Sequence, residues 1–255
     1  LNSISQNKNI CYCFFMIDLH THSNISDGIY SPSQLIKKAK ENNIEVLALT
    51  DHDTIEGLEE AKKTADTCNI TFVPGIEISI EWPTGEFHLL GLGLKTISRE
   101  LNEVVDFLKT DRENRNFQII QKMNDSNIPC TMDDIKKIAQ NGSIGRPHFA
   151  QYLVDIKKVK NRQLAFDKYL AKGRPFYVKH NGANLDVAIN AIKSSGGTPV
   201  IAHPLSLYLS WGKIQNTFED LFSRGIDGLE AWHSGIRVVE AQRLEVIATK
   251  IFFFR

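Results

Sequence analysis

Two histidines separated by one residue follow a short apolar run near the start of the sequence, in the stretch MIDLHTHSNISDG at residues 16–28. On a β-strand, residues i and i+2 point to the same face, so His20 and His22 are expected to project together. Asp27 follows five residues later. Imidazoles beside a carboxylate are a donor set for a divalent metal ion, although an isolated His-x-His pair is more often incidental.

Further imidazoles and carboxylates occur along the chain, many of them where a predicted strand ends. Because the carboxyl ends of parallel strands converge in an α/β barrel, these groups are expected to meet at one face. A cluster of imidazoles and carboxylates without cysteine suits Zn²⁺, Mn²⁺ or Fe²⁺, and such ions promote phosphoester hydrolysis. The histidines at strand ends are His20, His22, His52, His203 and His233, and the acids are Asp27, Asp51, Asp53, Glu77 and Glu230.

Taken alone, each of these residues has an ordinary structural explanation. The acids beside His52 could cap the helix that follows, and His203 could simply end a strand before Pro204. His180, in the polar run VKHNG, is expected to be solvated. The joint occurrence of the candidates at one predicted face favours a metal cluster. The remaining alternatives are Glu77 as an edge residue, His88 as an outward strand residue, and Arg146 and His148 as parts of a surface loop.

The elements that must position these groups alternate between strand and helix. Residues 16–20 and 46–50 are predicted strands, and between them Ser31 can cap a helix with Pro32 in its first turn. This β-α-β unit predicts parallel strands joined by a right-handed crossover. Its repetition, with polar residues at the strand ends, predicts a barrel-like α/β fold whose site lies at the carboxyl face.

The predicted organisation has four parts. Residues 1–15 are expected to be an N-terminal extension without a role in the fold, and residues 16–96 form the first part of the barrel. Residues 97–172 are predicted to be a helical insertion, because long, charge-rich amphipathic segments replace the strands there. Residues 173–255 form the second, incomplete part of the barrel, in which residues 251–254 are predicted to begin another buried strand.

The composition limits the classes of function. Lys and Arg together number 30, as do Asp and Glu, so no overall basic field favours non-specific binding of nucleic acid. The four cysteines lack paired zinc spacing, as in a reduced cytoplasmic chain. No stretch approaches the roughly 20 apolar residues of a membrane span, and residues 10–17 lack the flanks of a signal peptide. We expect a cytoplasmic protein without membrane contact or an obligate protein partner.

Seven segments resemble, in order, the motifs of the PHP (polymerase and histidinol phosphatase) superfamily: DLHTHSNISDG, LALTDHDT, VPGIEIS, FHLLGLG, GRPHFA, VIAHP and GLEAWHS. The resemblance extends over roughly residues 16–254. It is strongest to the bacterial nucleoside 3′,5′-bisphosphate phosphatases that also act as 5′-to-3′ exoribonucleases. It implies a distorted (β/α)7 PHP barrel with a small helical insertion, and a metal-dependent phosphoesterase acting on a small phosphorylated nucleotide or short RNA.

The same resemblance implies two to three divalent metal ions, with Mn²⁺ preferred and Fe or Zn as alternatives. Glu77 would bridge an ion held by the two histidines of the first strand to a second ion held by His88 and His203. Asp27 and His52 would hold a third ion. The implied metal ligands are His20, His22, Asp27, His52, Glu77, His88 and His203, and the implied phosphate-contacting residues are Arg146, His148 and His233.

One departure from the family pattern concerns the end of the chain. The family closes its site with an Asp-x-His motif after the last strand, whereas this sequence stops at residues 251–255. A displaced or truncated reading frame is therefore expected, in keeping with a start at Leu1, and the 255-residue chain is expected to bind metal weakly. Two other functions stay open, namely a catalytically impaired PHP-like module that binds metal or nucleotide, and a histidinol-phosphate phosphatase.

Overall fold

The computed structural model describes residues 16–139 and 143–252, so the predicted extension at residues 1–15 lies outside the described residues. The described strands are β1 (Met16–Thr21), β2 (Ile44–Leu49), β3 (Thr71–Ile80), β4 (Phe87–Leu92), β5 (Thr198–Ile201) and β6 (Gly228–Leu229). The described helices are α1 (Pro32–Glu41), α2 (Leu58–Cys68), α3 (Arg99–Asp125), α4 (Met132–Ala139), α5 (Arg146–Asp155), α6 (Arg162–Ala165), α7 (Leu185–Ser194), α8 (Trp211–Ser223) and α9 (Val238–Phe252). A π-helical turn at Phe166–Leu170 and a 3₁₀ turn at Pro204–Leu207 follow α6 and β5, respectively.

The strands form one curled sheet in the order β1-β2-β3-β4-β5-β6. β1, β2 and β3 are parallel and are joined through α1 and α2, which confirms the predicted β-α-β unit. β4 runs antiparallel to β3 and β5, whereas β5 and β6 are parallel. The direction reverses at β4 because residues 81–86 are too few to cross over the sheet. The described fold is therefore an α/β fold with a mixed sheet rather than a uniformly parallel barrel.

The start of α1 shows how local sequence fixes an element. Ser31 is the N-cap, and its hydroxyl accepts a hydrogen bond from the backbone N–H of Gln34. The Gln34 side chain accepts a hydrogen bond from the backbone N–H of Ser31 in return, which completes a capping box. Pro32 occupies the first turn, and Ile36 and Ala39 bury the inner face. The predicted helix start is confirmed.

Helix α3 is 27 residues long and connects two hydrophobic clusters. Its first half packs Leu101 and Leu108 into the main core, and its second half packs Ile119 and Met123 into a separate cluster with Phe149. That second cluster consists of residues from the helical segment and its flanks, and the boundaries at residues 97 and 172 stay a prediction. No helix in the described ranges combines the length and apolar character needed to cross a bilayer.

The predicted strand at residues 251–254 is wrong for its first two residues, since Ile251 and Phe252 end α9. The other two residues lie outside the described part of the chain. The helix continues because its buried apolar positions recur three to four residues apart, which is helical spacing rather than strand alternation. These buried positions are Ala241, Leu244, Ile247 and Ile251.

Candidate metal centre

Glu77 is the central residue of the candidate site. It lies on β3, in the interior of the sheet, and its exposed fraction is 0%. Its backbone is held by the segment after β2, because its N–H donates to the carbonyl of Asp51 and its carbonyl accepts from the N–H of Asp53. The carboxylate Oε2 is buried and forms no hydrogen bond with the described residues. A buried carboxylate in this state requires a cationic partner.

Three imidazoles converge on that Oε2 atom. It lies 3.3 Å from Nε2 of His20, 3.3 Å from Nε2 of His22 and 3.1 Å from Nδ1 of His52. The histidines come from the end of β1 and from the loop after β2, where the sequence predicts them. The parallel pairing of these strands brings their carboxyl ends together, as expected for a site at this edge.

Two further imidazoles lie at the other carboxylate oxygen of Glu77. Oε1 lies 3.1 Å from Nδ1 of His88 and 2.9 Å from Nε2 of His203. His88 is near the beginning of β4, opposite Ser79 on β3. Because β4 is antiparallel, its beginning lies at the carboxyl ends of the neighbouring strands. The alternative of an outward-facing strand residue is therefore wrong for His88.

Asp27 extends the cluster on the β1 side. Its Oδ1 lies 3.4 Å from Nδ1 of His22, and its Oδ2 lies 3.7 Å from Nε2 of His52. Its side chain is half exposed, in contrast to Glu77. A carboxylate in this position can join two imidazoles in a ligand group that is open to solvent.

Asp51 shapes the loop that carries Asp27. Its buried carboxylate accepts hydrogen bonds from the backbone N–H and the hydroxyl of Ser23, at 2.7 and 2.6 Å, and from the hydroxyl of Ser26 at 2.7 Å. The loop is so tight at Gly28 that a Cβ there would lie 2.3 Å from the carbonyl oxygen of His22. Asp51 therefore holds the loop and does not cap α2.

Asp53, on the other side of His52, also holds neighbouring segments of the chain in place. Its carboxylate accepts hydrogen bonds from the backbone N–H and the hydroxyl of Ser79, at 2.8 and 3.0 Å, and forms an ion pair with Arg112 of α3. Burial alone would raise the pKa of Asp53, but the Arg112 guanidinium and nearby imidazoles hold it well below its usual range. The helix-cap alternative is wrong here also, since the N-cap of α2 is Gly57.

Glu230, which follows β6, joins two of the clustered histidines. Its Oε1 lies 3.1 Å from Nδ1 of His20, and its Oε2 accepts the backbone N–H of His203 at 2.6 Å. His203 has a φ angle of +26°, in a region that non-glycine residues seldom adopt. The sequence includes Glu230 among the accompanying acids, but its role depends on contacts between distant strands.

The charges in the cluster are strongly interdependent. Burial alone would lower the pKa of His20, but Glu230 and Glu77 raise it to about 10. Burial and the neighbouring imidazoles of His88 and His22 lower the pKa of His52 to about 4. Burial would raise the pKa of Glu77, but the surrounding imidazoles hold it well below its usual range. Imidazoles must lose their protons to bind a metal, so metal binding is expected to release protons.

The donor set fits divalent metal ions of the Mn²⁺, Fe²⁺ or Zn²⁺ type, because it consists of imidazole nitrogens and carboxylate oxygens around an unpartnered buried oxygen. In each possible ligand group of the described residues, the donor atoms lie within 4.8 Å of one another. The grouping differs in part from the sequence expectation, and the assignment of ligands to individual ions stays a prediction. The groups are His20 with Glu77 and His203, His22 with Asp27 and His52, and His52 with Glu77 and His88.

Arg146 and His148 lie in the first turn of α5, outside the imidazole cluster. Nδ1 of His148 accepts a hydrogen bond from the backbone N–H of Gly145 at 3.0 Å, so the neutral ring carries its proton on Nε2. The N–H of Ser143 donates to the carbonyl of Ile25, which ties the start of α5 to the loop that carries the β1-side carboxylate. Both residues belong to a helix rather than to a surface loop.

His233 lies beside the cluster, with its ring centroid 6.3 Å from that of His203. Its Nδ1 lies 2.9 Å from the carbonyl oxygen of Ser234, so Nδ1 is the donor, and Nε2 of the neutral ring carries a lone pair. That Nε2 is buried and has no hydrogen-bond partner among the described residues. His180, by contrast, is not solvated as expected, because Nδ1 lies 2.7 Å from Asp111 and most of the ring is buried.

The PHP domain matches residues 18–169, which is more than half of the sequence. This chain belongs to the PHP family. The PHP chain is 37% identical over 213 residues to a 5′-3′ exoribonuclease of Haemophilus influenzae, an alignment covering 84% of this chain and 77% of that protein. It is 35% identical over 215 residues to a 3′,5′-nucleoside bisphosphate phosphatase of Chromobacterium violaceum, covering 84% of this chain and 75% of that protein.

Solved structures of PHP-like proteins share the fold. An amidohydrolase from Chromobacterium violaceum, solved with bound sulfate and no metal, superposes with a TM-score of 0.84 at 32% identity, over 92% of this chain and 83% of that one. A protein from Bifidobacterium adolescentis described as a metal-dependent phosphoesterase gives a TM-score of 0.82 at 26% identity, over 92% of this chain and 84% of that one. The curled α/β fold of this PHP chain is thus the fold of these proteins.

Proposed function

We propose that this PHP chain is a metal-dependent phosphoesterase that hydrolyses nucleoside 3′,5′-bisphosphates or the 5′ ends of short RNA. The observation that carries the proposal is the fully buried Glu77 carboxylate, whose two oxygens are surrounded by imidazole nitrogens. The names of the Haemophilus influenzae and Chromobacterium violaceum relatives support the substrate class. The distorted (β/α)7 count, the insertion at residues 97–172 and a cytoplasmic location are parts of the same proposal.

The proposed site holds two to three divalent ions, with Mn²⁺ preferred and Fe or Zn as alternatives. When bound, such ions stabilise the charge on phosphoryl oxygens and lower the pKa of water. Glu77 would be shared between ions, a role supported by the different set of imidazoles that each of its oxygens faces. The proposed ligands are His20, His22, Asp27, His52, Glu77, His88 and His203.

Arg146 and His148 are proposed to bind the phosphoryl group that is hydrolysed. The guanidinium of Arg146 can donate two parallel hydrogen bonds to phosphate oxygens and neutralise the charge that develops on them. Burial lowers the pKa of His148, so the ring is neutral near pH 7 and donates from Nε2. Together these residues orient the phosphate towards the imidazole cluster.

His233 is proposed to have a complementary role. Its Nδ1–H is engaged by the carbonyl of Ser234, so its buried Nε2 is the atom that can receive a proton. This side chain can hold a proton released from water during the attack on phosphorus. His148 and His233 thus both present Nε2, which carries a proton in His148 and a lone pair in His233, so the two rings move protons in opposite directions.

Phosphate release from adenosine 3′,5′-bisphosphate and from a short 5′-phosphorylated RNA, with Mn²⁺ present, tests the proposal. We expect the Glu77→Gln variant to lose at least about 100-fold in activity. Removing a residue that only hydrogen-bonds to a metal ligand already costs about 10–100-fold, and a residue that would bind the metal directly should matter at least as much. Glu219→Gln, on the exposed face of α8, is the matched control. If the unmodified protein releases no phosphate from any nucleoside bisphosphate or short RNA, the proposal is wrong. Faster release from histidinol phosphate would assign the protein to that reaction instead.

A further inference from the structure

Arg115 is a buried cation without an anionic partner among the described residues. It lies in the middle of α3, and its exposed fraction is 7%. Its Nη2 donates to the side-chain oxygen of Asn116 at 3.2 Å, which is a neutral amide. Its Nε is buried and has no hydrogen-bond partner within the described ranges. A guanidinium in this state is costly, because burial removes its hydration and no carboxylate replaces it.

The neighbouring carboxylates are already engaged by other groups. Asp53 is paired with Arg112, one turn before Arg115 on the same helix. Asp111 accepts hydrogen bonds from the Asn181 side chain and backbone, and its Oδ2 lies 2.7 Å from Nδ1 of His180. Neither acid forms a hydrogen bond with the Arg115 guanidinium in the described part of the chain.

Charged groups of both signs act on Arg115. Burial lowers the pKa of Arg115 to about 10, the guanidinium groups of Arg112 and Arg146 add to this effect, and the carboxylates of Asp53 and Asp111 oppose it. Arg146 itself forms an ion pair with Glu86, whose side chain is mostly exposed. Even so, Arg115 is charged near neutral pH, so the helical segment presents an excess of buried or half-buried positive charge.

This positive region adjoins the candidate metal centre. Arg112 contacts Asp53, the residue next to His52 of the cluster. Arg146 begins α5, and Ser143, three residues earlier, is hydrogen-bonded to the loop after β1. Arg115 interacts electrostatically with both neighbouring arginines. Arg115 therefore lies in the same part of the helical segment as these two arginines.

We propose that Arg115 belongs to a second anion subsite, which binds the phosphate group of the substrate that is not hydrolysed. This inference rests on the proposed function, and such a subsite would favour substrates with two phosphates over those with one. A phosphate dianion would supply the negative charge that no described residue provides to Arg115 through an ion pair. A guanidinium can bind a phosphate through paired hydrogen bonds. Arg115 is thus a residue that determines specificity, separate from the residues assigned to the reacting phosphate.

Comparison of substrates with one and two phosphates tests the subsite. The variant is Arg115→Met, which keeps much of the side-chain volume and removes the charge, and Arg115→Lys retains the charge without the paired geometry. The matched control is Arg99→Met, in the first turn of the same helix, where the side chain is 86% exposed. The substrates are adenosine 3′,5′-bisphosphate, adenosine 3′-monophosphate and adenosine 5′-monophosphate, each with Mn²⁺.

We expect Arg115→Met to lower kcat/KM for the bisphosphate by about 10- to 100-fold, mainly through KM, because a charge-assisted hydrogen bond is lost. Hydrolysis of the monophosphates should change by no more than about twofold, as for a substitution that removes no contact. Arg115→Lys should recover part of the loss, and Arg99→Met should change neither class. An equal loss on bisphosphate and monophosphates, or no loss on either, would overturn the subsite.

Binding and thermal stability give a second readout that needs no turnover. Without ligand, Arg115→Met should melt at or above the Tm of the unmodified protein, because an uncompensated buried charge is removed. Titration of metal-free protein with adenosine 3′,5′-bisphosphate should show weaker binding by the variant. A lower Tm together with unchanged bisphosphate binding would make Arg115 a structural residue and refute the proposal. If no substrate is hydrolysed at all, the proposed reaction fails, and the binding comparison still decides the subsite.

Discussion

Replacing Glu230 by Gln perturbs two of the proposed ligands at once without touching the central carboxylate. Glu230 accepts the backbone N–H of His203 through one oxygen and faces Nδ1 of His20 with the other, and its side chain is 13% exposed. Gln retains one acceptor oxygen, so one of these hydrogen bonds is lost together with the charge. A hydrogen bond to a charged group contributes about 1.5–3 kcal/mol. Residues that hydrogen-bond to metal ligands contribute 10–100-fold in metal affinity, or about 1.4–2.7 kcal/mol. This free energy agrees with that of the lost hydrogen bond.

The assay is calorimetric titration of metal-free protein with Mn²⁺, supported by the visible absorption of bound Co²⁺. We expect Glu230→Gln to bind metal about 10- to 100-fold more weakly, with a changed Co²⁺ spectrum because the ring of His20 is less well oriented. Glu219→Gln, an exposed carboxylate on α8, is the matched control and should bind as the unmodified protein does. Unchanged affinity and an unchanged spectrum in a folded Glu230→Gln protein would refute the positioning role.

Three further predictions concern the helical segment and the thiols. Phe149→Ala should lower the free energy of unfolding by about 3–5 kcal/mol in urea titrations, because the side chain is buried. Phe117→Ala, at a position that is 58% exposed, should change it by less than about 0.5 kcal/mol. Equal losses in the two variants would contradict the burial of Phe149. Burial alone would raise the pKa of Asp111, but the hydrogen bonds it accepts hold it below its usual value. Asp111→Asn should therefore destabilise the protein at neutral pH, and the difference from the unmodified protein should shrink only as the pH falls below the ordinary pKa of Asp and through the lowered pKa of Asp111. A difference that does not shrink as the carboxylate is protonated would count against this. Burial raises the pKa of the Cys130 thiol to about 12, so iodoacetamide should modify Cys68 faster than Cys130, and peptide mass mapping that finds equal rates for these two thiols would disprove it.

Local signals in the sequence predict local structure well. The Ser31 cap and the apolar stripe of α1 are sufficient to place that helix, because the capping box and the buried face involve neighbouring residues. The His-x-His pair similarly predicts two imidazoles on one face of β1. The end of α9 is harder to predict from the sequence. The spacing of Ile251 from the preceding apolar residues is that of a helix face, whereas the run of apolar residues that it begins is typical of a strand.

The contacts that give the site its chemistry are not local, and residue types alone do not reveal them. His88 reaches Glu77 because β4 is antiparallel, a direction fixed by the length of the preceding connection. The contacts of Glu230 join residues far apart in the chain, and the role proposed for Arg115 rests on the lack of a partner for its Nε among the described residues. A carboxylate that caps a helix and one that holds a loop look the same in a sequence, as Asp51 shows.

The reversal at β4 also has a consequence for how the site assembles during folding. Glu77 and His88 are 11 residues apart and belong to adjacent strands of a hairpin, whereas Glu77 and His203 are 126 residues apart. Since each doubling of a loop costs about 0.6 kcal/mol of chain entropy, closing the longer loop costs roughly 2 kcal/mol more. The hairpin therefore brings Glu77 and His88 together early and at low entropic cost, and His203 is added only when the later strands have joined the sheet.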